Sequence, residues 1–266
     1  MEGAARMTGP LVDAAWLQEH LGDVVVLDAS ISRSPEGAFK PGSDVYAQAH
    51  IPGARFADLF TAFSDPDGAF PFTMPSVGQL RDAARAAGVH DGSHVVVYDR
   101  NGGAWAARVW WLLRVHGFST VSVLDGGLGA WAGSLESGIY DLSPAGALTL
   151  REPGAVTADL VEVAAFEGPL VCGVRKAQFD TGHIPGSISL PYAELLRDNG
   201  TLDLSLVRSR AAGLGAEAIV YCGGGINAAG LILALEAAGL PAPRLYDGSL
   251  NEWRADPARP LTSAAG

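Results

Sequence analysis

The sequence predicts two tandem α/β domains, each a small parallel sheet flanked by helices. The chain has 266 residues, of which 48% are hydrophobic, so it is long enough to bury two cores of ordinary size. Two of its segments occur twice, which indicates a duplicated unit. In each half, an apolar run ends in a turn and is followed by an apolar helical pattern, as expected for a buried parallel strand leading into a helix.

The first repeated segment is His50-Ile51-Pro52-Gly53-Ala54, which returns as His183-Ile184-Pro185-Gly186-Ser187. The second is Leu124–Trp131, which returns as Tyr246–Trp253. The copies of the second segment are closer together than the copies of the first, so the first half carries extra sequence. We place this extra sequence in the polar, Pro- and Gly-rich stretch Ser64–Gly78.

The same elements are predicted in the same order in both halves. The first half contains strands at Val24–Leu27, Val95–Asp99 and Val121–Leu124, with a helix over Ala104–His116 that Gly117 terminates. The second half contains strands at Leu170–Val171, Ala218–Cys222 and Arg244–Tyr246, with a helix over Ala228–Ala238 that Gly239 terminates. Strands that alternate with helices favour a parallel sheet in each half.

The predicted division is a first domain over residues 1–140, a linker over 141–153 and a second domain over 154–266. The region Ser134–Pro153 that contains this linker is polar and includes Pro and Gly. Within it, the short apolar piece Ala147–Leu150 is expected to pack as an extra strand.

Composition excludes several function classes. The net charge of −11 argues against a nucleic acid partner, which requires clustered Lys and Arg. No apolar run is long enough for a membrane span and the N-terminus lacks a secretory pattern, so we expect a cytosolic protein with two free thiols. We expect neither a metal, because a turn sequence separates His90 from His94, nor a cofactor, because no Gly-Lys-Ser/Thr follows the glycine run Gly223–Gly225.

The two halves differ where the central strand meets its helix, the edge at which parallel sheets bind ligands. The first half has Asp99-Arg100-Asn101-Gly102-Gly103, and the second has Cys222-Gly223-Gly224-Gly225-Ile226-Asn227. Three consecutive glycines before a helix let backbone N–H groups form an anion-binding cradle, to which the helix N-terminus adds. Such a cradle stabilises a thiolate, which is the nucleophilic form of cysteine.

Each cysteine also has a purely structural interpretation, since unreactive cysteines commonly fill cores. The glycine loop behind Cys222 favours a reactive thiol there. Cys172 precedes Gly173 without such a loop, so we interpret it as a buried structural residue. A phosphatase of the Cys-x5-Arg type would need an arginine at the position of Ala228.

These segments together resemble the rhodanese superfamily, specifically the tandem-domain thiosulfate and 3-mercaptopyruvate sulfurtransferases. The resemblance covers nearly the whole chain and rests on the two His-Ile-Pro-Gly segments, Asp125–Trp131, Arg108-Val109-Trp110-Trp111 and the six-residue loop that Cys222 opens. In that family, the first domain has lost its cysteine, often to aspartate, which matches Asp99.

The resemblance implies a sulfurtransferase in which Cys222 carries sulfur as a persulfide from a small-molecule donor to a thiol or cyanide acceptor, including a protein dithiol such as thioredoxin. It implies that Gly223, Gly224, Gly225, Ile226 and Asn227 form the substrate-binding cradle. Arg175 would bind an anionic donor, the alternative being a surface or interface arginine. His50 would lie near the catalytic cleft, the alternative being a histidine that fixes the Ile51-Pro52-Gly53 turn, and His183 would be structural.

Several positions depart from the family pattern. Thiosulfate-preferring members carry cationic residues in the loop where this chain has Gly223 and Gly224. Mercaptopyruvate-preferring members have Gly-Ser-Gly-Val-Thr, so Gly224 and Asn227 replace a serine and a threonine. Gly173 replaces an aspartate, and the path from Arg175 to His183 is short. Both donors therefore remain open, and the alternative function is a non-catalytic rhodanese-like binding or regulatory module.

Overall fold

The computed structural model describes residues 9–140 and 146–263, which contain two five-stranded parallel sheets of the same topology. The first sheet has the order β1-β7-β6-β2-β5, with strands β1 (Leu11–Val12), β2 (Val25–Asp28), β5 (Arg55–Phe56), β6 (Val95–Tyr98) and β7 (Val121–Leu124). The second has the order β10-β9-β11-β12-β8, with strands β8 (Thr157–Ala158), β9 (Leu170–Cys172), β10 (Ile188–Ser189), β11 (Ile219–Tyr221) and β12 (Arg244–Tyr246).

A short antiparallel hairpin is added to the first half. It consists of β3 (Ile31–Arg33) and β4 (Phe39–Pro41). Two hydrogen bonds close the turn between them: the Ser34 N–H donates to the Ala38 carbonyl, and the Gly37 N–H donates to the Ser34 carbonyl. Phe39 on this hairpin is 46% exposed, although its ring packs on Trp105 with centroids 5.3 Å apart. The hairpin therefore projects from the sheet over the start of the helix that bears Trp105.

The helices lie on both faces of the sheets, and equivalent helices recur in the two halves. The first half contains α1 (Ala14–His20), α2 (Ser43–Gln48), α3 (Val77–Ala86), α4 (Ala104–Val115) and α5 (Gly127–Ala130). The second half contains α6 (Leu160–Ala164), α7 (Lys176–Thr181), a 3-10 helix (Tyr192–Leu195), α8 (Leu204–Arg210), α9 (Ile226–Ala237) and α10 (Ser249–Trp253).

Local sequence explains where several of these helices begin. Asp13 caps α1 by accepting the Trp16 N–H at 2.8 Å, and Asp159 caps α6 by accepting the Glu162 N–H at the same distance. Each residue directly follows the first short strand of its sheet, so the two domains open with the same strand, cap and helix. This correspondence extends the duplication beyond the two segments that the sequence repeats visibly.

The structure confirms the predicted fold class of two α/β units with parallel sheets. The two sheets span Leu11–Leu124 and Thr157–Tyr246, and the domain limits 1–140 and 154–266 stay a prediction. The extra sequence of the first half lies only partly in Ser64–Gly78, because α3 has ten residues and its counterpart α8 has seven.

The prediction of an extra strand at Ala147–Leu150 is wrong. Residues 147–150 belong to no strand and run along the first domain as a strap. The Asp91 N–H donates to the Ala147 carbonyl, Asp91 Oδ1 accepts the Thr149 N–H, and Leu148 is 6% exposed. The segment is therefore held by Asp91, a residue in a turn, and not by a neighbouring strand. Residues 141–145 of the predicted linker lie outside the described residues.

The two halves pack through their most apolar helices, α4 and α9. Both are buried on nearly all sides, because each covers its own sheet with one face and meets the other helix with the opposite face. Gly230 of α9 leaves room for the Tyr192 ring of the 3-10 helix, since a Cβ atom there would lie 2.8 Å from that ring. None of the helices in the described parts of the chain has the length and apolar character required to cross a bilayer.

Candidate active site

A cleft of about 660 Å³ opens between the two halves at the carboxyl ends of the strands of the second sheet. The side chains that line it come from the hairpin, the loop before α3, the start of α4 and the second domain. They are Ile31, Arg33, Phe39, Pro71, Phe72, Asn101, Gly102, Ala104, Trp105, Val174, Arg175, Gln178, Tyr192, Ala193, Leu196, Cys222, Gly223, Gly224, Ile226, Asn227 and Asn251.

The charge of the cleft is opposite to that of the chain. Its lining contains two arginines and no carboxylate among the described residues, while the whole chain has a net charge of −11. A concave site walled by apolar side chains concentrates such a field. The cleft therefore favours small anions.

Cys222 lies at the base of this cleft, directly after β11, and is 2% exposed. Three hydrogen bonds fix its backbone to α10. The Cys222 N–H donates to Ser249 Oγ at 3.1 Å, the Leu250 N–H donates to the Cys222 carbonyl at 3.1 Å, and the Asn251 N–H donates to the Gly223 carbonyl at 2.9 Å. The thiol is thus held by backbone geometry before any ligand arrives.

The glycine loop after Cys222 forms one wall of the cleft. Gly223, Gly224, Ile226 and Asn227 line it, whereas Gly225 lies behind the wall and precedes α9 with φ +81°. A Cβ atom at Gly225 would lie 3.0 Å from Arg108 Nη1 and 3.1 Å from Asp247 Oδ1. Both the backbone angle and this close approach require glycine there.

The first domain shows how this type of loop holds an anion. Asp99 follows β6 as Cys222 follows β11, and it is 1% exposed. Its carboxylate accepts four backbone N–H groups: those of Asn101 and Gly103 at 2.7 and 2.8 Å on Oδ1, and those of Trp105 and Ala106 at 3.0 and 2.9 Å on Oδ2. Burial raises the pKa of the Asp99 carboxyl, and the N–H groups of Ala106, Gly103 and Asn101 oppose that rise.

The start of α9 indicates a corresponding set of amides near Cys222. Gly103 and Gly225 both precede their helices with positive φ, 86° and 81°, so α4 and α9 begin in the same way. By position, the N–H groups of Gly225, Asn227 and Ala228 are the counterparts of those of Gly103, Trp105 and Ala106. We expect these groups to stabilise a negative charge on sulfur in the second domain as their counterparts stabilise the Asp99 carboxylate.

Arg175 lies on the rim of the cleft, at the residue before α7. Its side chain is exposed and makes no ion pair with the described residues. The guanidinium therefore has its hydrogen-bond donors available for a bidentate contact with a carboxylate.

Arg33 is a second cation of the cleft, and the sequence analysis missed it. It comes from the β3–β4 hairpin, where its guanidinium carbon lies 4.1 Å above the Phe39 ring and Nη1 donates to the Gly37 carbonyl at 2.8 Å. No local motif marks this arginine. Its position depends on how the hairpin of one domain projects over the other.

The structure does not bring His50 to the cleft. His50 is fully buried, its ring stacks on Tyr46 with centroids 4.2 Å apart, and Nδ1 lies 2.9 Å from the Tyr46 carbonyl. His183 repeats the arrangement on Phe179, with Nδ1 2.9 Å from the Phe179 carbonyl. Because both histidines make the same contacts, the geometry favours the alternative in which His50 fixes its turn.

Cys172 lies away from the cleft. It pairs with Tyr221 across β9 and β11, so by strand alternation its side chain points to the face opposite that of Cys222. It is fully buried, and burial raises the pKa of its thiol. These properties disfavour thiolate formation and agree with a structural role.

A buried ion pair joins the two domains beneath the glycine loop. Arg108 of α4 is fully buried, and its Nη2 lies 2.7 Å from Asp247 Oδ1 and 2.8 Å from the Phe72 carbonyl. Asp247 Oδ2 accepts the Met74 N–H at 2.8 Å. The pair therefore holds the loop with Pro71 and Phe72, which wall the cleft, against the domain that carries Cys222. The contact between Arg108 and Asp247 could not be predicted from the sequence, because the two residues are far apart in the chain.

Comparisons with known proteins agree with these features. The family model described as "Rhodanese-like domain" matches residues 13–134 and 164–256. The chain is 33% identical to the 3-mercaptopyruvate sulfurtransferase of Escherichia coli K12, over 94% of this chain and 98% of that protein. It is 34% identical to the putative thiosulfate sulfurtransferase SseB of Mycobacterium tuberculosis, over 83% of this chain and 85% of that protein. The crystal structure of SseA from Escherichia coli superposes with a TM-score of 0.80 at 30% identity, covering 91% and 99% of the two chains.

Proposed function

Because the chain belongs to the rhodanese-like family and is a sulfurtransferase, we propose that Cys222 is its sulfur carrier and that 3-mercaptopyruvate is its preferred donor. The observation that carries the first part is the position of Cys222 at the base of a cationic cleft, in a loop whose counterpart holds the Asp99 carboxylate with four N–H groups. A cradle built for a negative charge stabilises both a thiolate and a persulfide anion.

The reaction divides into two steps. The Cys222 thiolate attacks the sulfur of mercaptopyruvate, so that an S–S bond forms and the C–S bond breaks. The electron pair of the C–S bond passes to the organic fragment, which leaves as the enolate of pyruvate and takes a proton. In the second step an acceptor thiolate or cyanide attacks the outer sulfur, and Cys222 returns to its thiolate form.

The preference for mercaptopyruvate is supported by the distribution of charge in the cleft. The loop residues Gly223 and Gly224 carry no cation, so a dianion such as thiosulfate would lose hydration close to Cys222 without a partner there. The single carboxylate of mercaptopyruvate can pair with Arg175 at the rim while its sulfur reaches Cys222. Arg33 adds positive charge at the same rim, so thiosulfate is the second candidate donor.

The proposed acceptor is a small thiol, cyanide or a protein dithiol of the thioredoxin kind, in a reducing compartment such as the cytosol. The cleft supports this breadth, because it opens to solvent beside Arg33 and Arg175 while Cys222 stays at its base. Outer sulfur on a persulfide extends from the thiol toward this opening, where an acceptor can attack it.

Initial rates with mercaptopyruvate and thiosulfate, measured side by side with cyanide and a dithiol as acceptors, test the proposal. The expected result is a higher kcat/KM for mercaptopyruvate and no transfer by Cys222→Ser. A much higher kcat/KM for thiosulfate would overturn the donor assignment. Transfer that persists in Cys222→Ser would overturn the assignment of the sulfur carrier.

A further inference from the structure

The Asn251 carboxamide lies beside the glycine loop and is not assigned a role by the reaction described above. Asn251 lines the cleft together with Cys222, Gly223 and Gly224. Its backbone N–H is fixed on the Gly223 carbonyl at 2.9 Å, so the start of its side chain is held next to the residue that follows Cys222. Asn251 is exposed and no hydrogen bond to the described residues occupies its carboxamide, so its donors are available to a ligand in the cleft.

The carboxamide fills the space that a side chain at Gly224 would need. A Cβ atom on Gly224 would lie 2.8 Å from Asn251 Nδ2 and 3.3 Å from the Pro71 carbonyl. The backbone of Gly224 has no positive φ, so contact with these neighbours, rather than chain geometry, disfavours a side chain. Asn251 Nδ2 thus lies against Gly224, the second residue after Cys222, in the same cleft.

This feature is specific to the domain that carries the cysteine. The Leu128 N–H donates to the Asp99 carbonyl and the Leu250 N–H donates to the Cys222 carbonyl, so α5 and α10 are in register. The counterpart of Asn251 is then Gly129, which has no side chain and has open space around it. The domain that carries Cys222 therefore has an amide side chain, Asn251, at the position where the domain with Asp99 has Gly129.

We infer that Asn251 is a catalytic residue that donates a hydrogen bond from Nδ2 to the carbonyl oxygen of an α-keto thiol donor as this oxygen becomes an enolate oxygen. The inference rests on the proposed function. As the C–S bond breaks, its electron pair moves onto the organic fragment, and negative charge develops on the carbonyl oxygen, which is three bonds from the departing sulfur. A hydrogen-bond donor at that oxygen stabilises the transition state more than the ground state.

The contact predicts a difference between donors. Thiosulfate releases sulfite, whose negative charge is already present on the donor's oxygens before the S–S bond breaks. An amide near those oxygens would bind donor and transition state alike, which affects KM rather than kcat. The Asn251 donor should therefore appear in kcat only with the α-keto thiol.

Asn251→Ala is the direct test, with Gly129→Ala as the matched control at the equivalent exposed position of the first domain. Pyruvate release from mercaptopyruvate is measured under saturating dithiol. Asn251→Ala should lower kcat about tenfold or more, given that a lost oxyanion donor costs about 100-fold in a closed site and water replaces part of it in an open cleft. Its kcat with thiosulfate should change less than about threefold, and Gly129→Ala should match the unmodified protein.

Two further variants separate a donor from a spacer. Asn251→Asp keeps the shape but places a carboxylate against the developing charge, so it should be slower than Asn251→Ala. Gly224→Ala displaces the Asn251 carboxamide without removing it. The decreases in kcat caused by Gly224→Ala and by Asn251→Ala should therefore not add in the double variant.

The outcomes distinguish the inference from the proposed function. If the unmodified protein releases no pyruvate from mercaptopyruvate, the donor assignment fails and the inference fails with it. If it does release pyruvate and Asn251→Ala keeps its kcat, or if kcat falls equally with both donors, the proposed function stands and the inference is overturned.

Discussion

The ion pair between Arg108 and Asp247 provides the sharpest prediction about the architecture of the site. Arg108 is fully buried and the Asp247 side chain is 17% exposed. Arg108 Nε and Nη1 find no hydrogen-bond partner among the described residues, so the charge of Asp247 is the main compensation for a guanidinium that has lost its water. Asp247→Asn removes that charge and keeps the volume.

The expected cost follows from this geometry. Breaking a buried pair by removing one partner costs about 3–5 kcal/mol, because the remaining charge stays buried. Asn retains an oxygen for the Met74 N–H and the site is partly exposed, so we expect the lower end, about 3 kcal/mol of unfolding free energy. Activity should also fall, since the wall formed by Pro71 and Phe72 loses its attachment to the second domain.

Urea unfolding of the unmodified protein and of Asp247→Asn measures this loss of unfolding free energy. The matched control is Asp82→Asn, which removes an exposed pair with Arg81 at 3.5 Å and should cost less than about 1 kcal/mol. Combining Arg108→Met with Asp247→Asn should recover part of the loss, because no unpaired charge remains. Equal, small costs for Asp247→Asn and Asp82→Asn would refute the reasoning.

Four further predictions concern the cleft and the repeated histidines. Arg175→Ala should raise the KM for mercaptopyruvate tenfold or more with little change in kcat, as steady-state kinetics will show; a loss confined to kcat would contradict carboxylate binding. Cys172→Ser should keep most of the activity, and inactivity would contradict its structural role. His50→Ala and His183→Ala should both lose about 2 kcal/mol in urea unfolding with an unchanged KM, so a raised KM for His50→Ala alone would return that residue to the site. A Cβ atom at Gly223 would meet nothing within 4 Å, so Gly223→Arg can be accommodated. This variant should raise kcat/KM for thiosulfate relative to kcat/KM for mercaptopyruvate, and an unchanged ratio of the two values would refute the role of loop charge.

Much of the fold could be predicted because its signals are local and repeated. The strands at Val121–Leu124 and Arg244–Tyr246 have the predicted bounds, since each is an apolar run closed by a turn. Ala147–Leu150 failed as a strand because an apolar run also suits a strap over a core, and only the neighbours decide between them. The sequence cannot show that the partner of this segment is Asp91, a residue in a turn, and not a strand.

From the residues alone, the candidate site could be predicted only where its members adjoin one another in the chain, and Arg175, which also lines the cleft, was predicted from the resemblance. The Cys222 loop and its aspartate counterpart Asp99 follow matching strands, so the repeat reveals them. Arg33 and Asn251 escaped notice because they reach the cleft from distant segments, through the hairpin and through α10. His50 was expected near the cleft from the resemblance alone, whereas packing against Tyr46 decides its position.

The most direct test of the account is the mass of the intact protein after treatment with mercaptopyruvate in the absence of an acceptor. The account predicts one added sulfur atom per chain, located on Cys222 by peptide mapping and removed by cyanide. Cys222→Ser should gain none, and Cys172→Ser should gain the same single sulfur as the unmodified protein. Added sulfur on Cys172 would contradict the assignment of Cys222 as the sulfur carrier. So would the absence of added sulfur on either thiol after treatment with mercaptopyruvate and, separately, with thiosulfate.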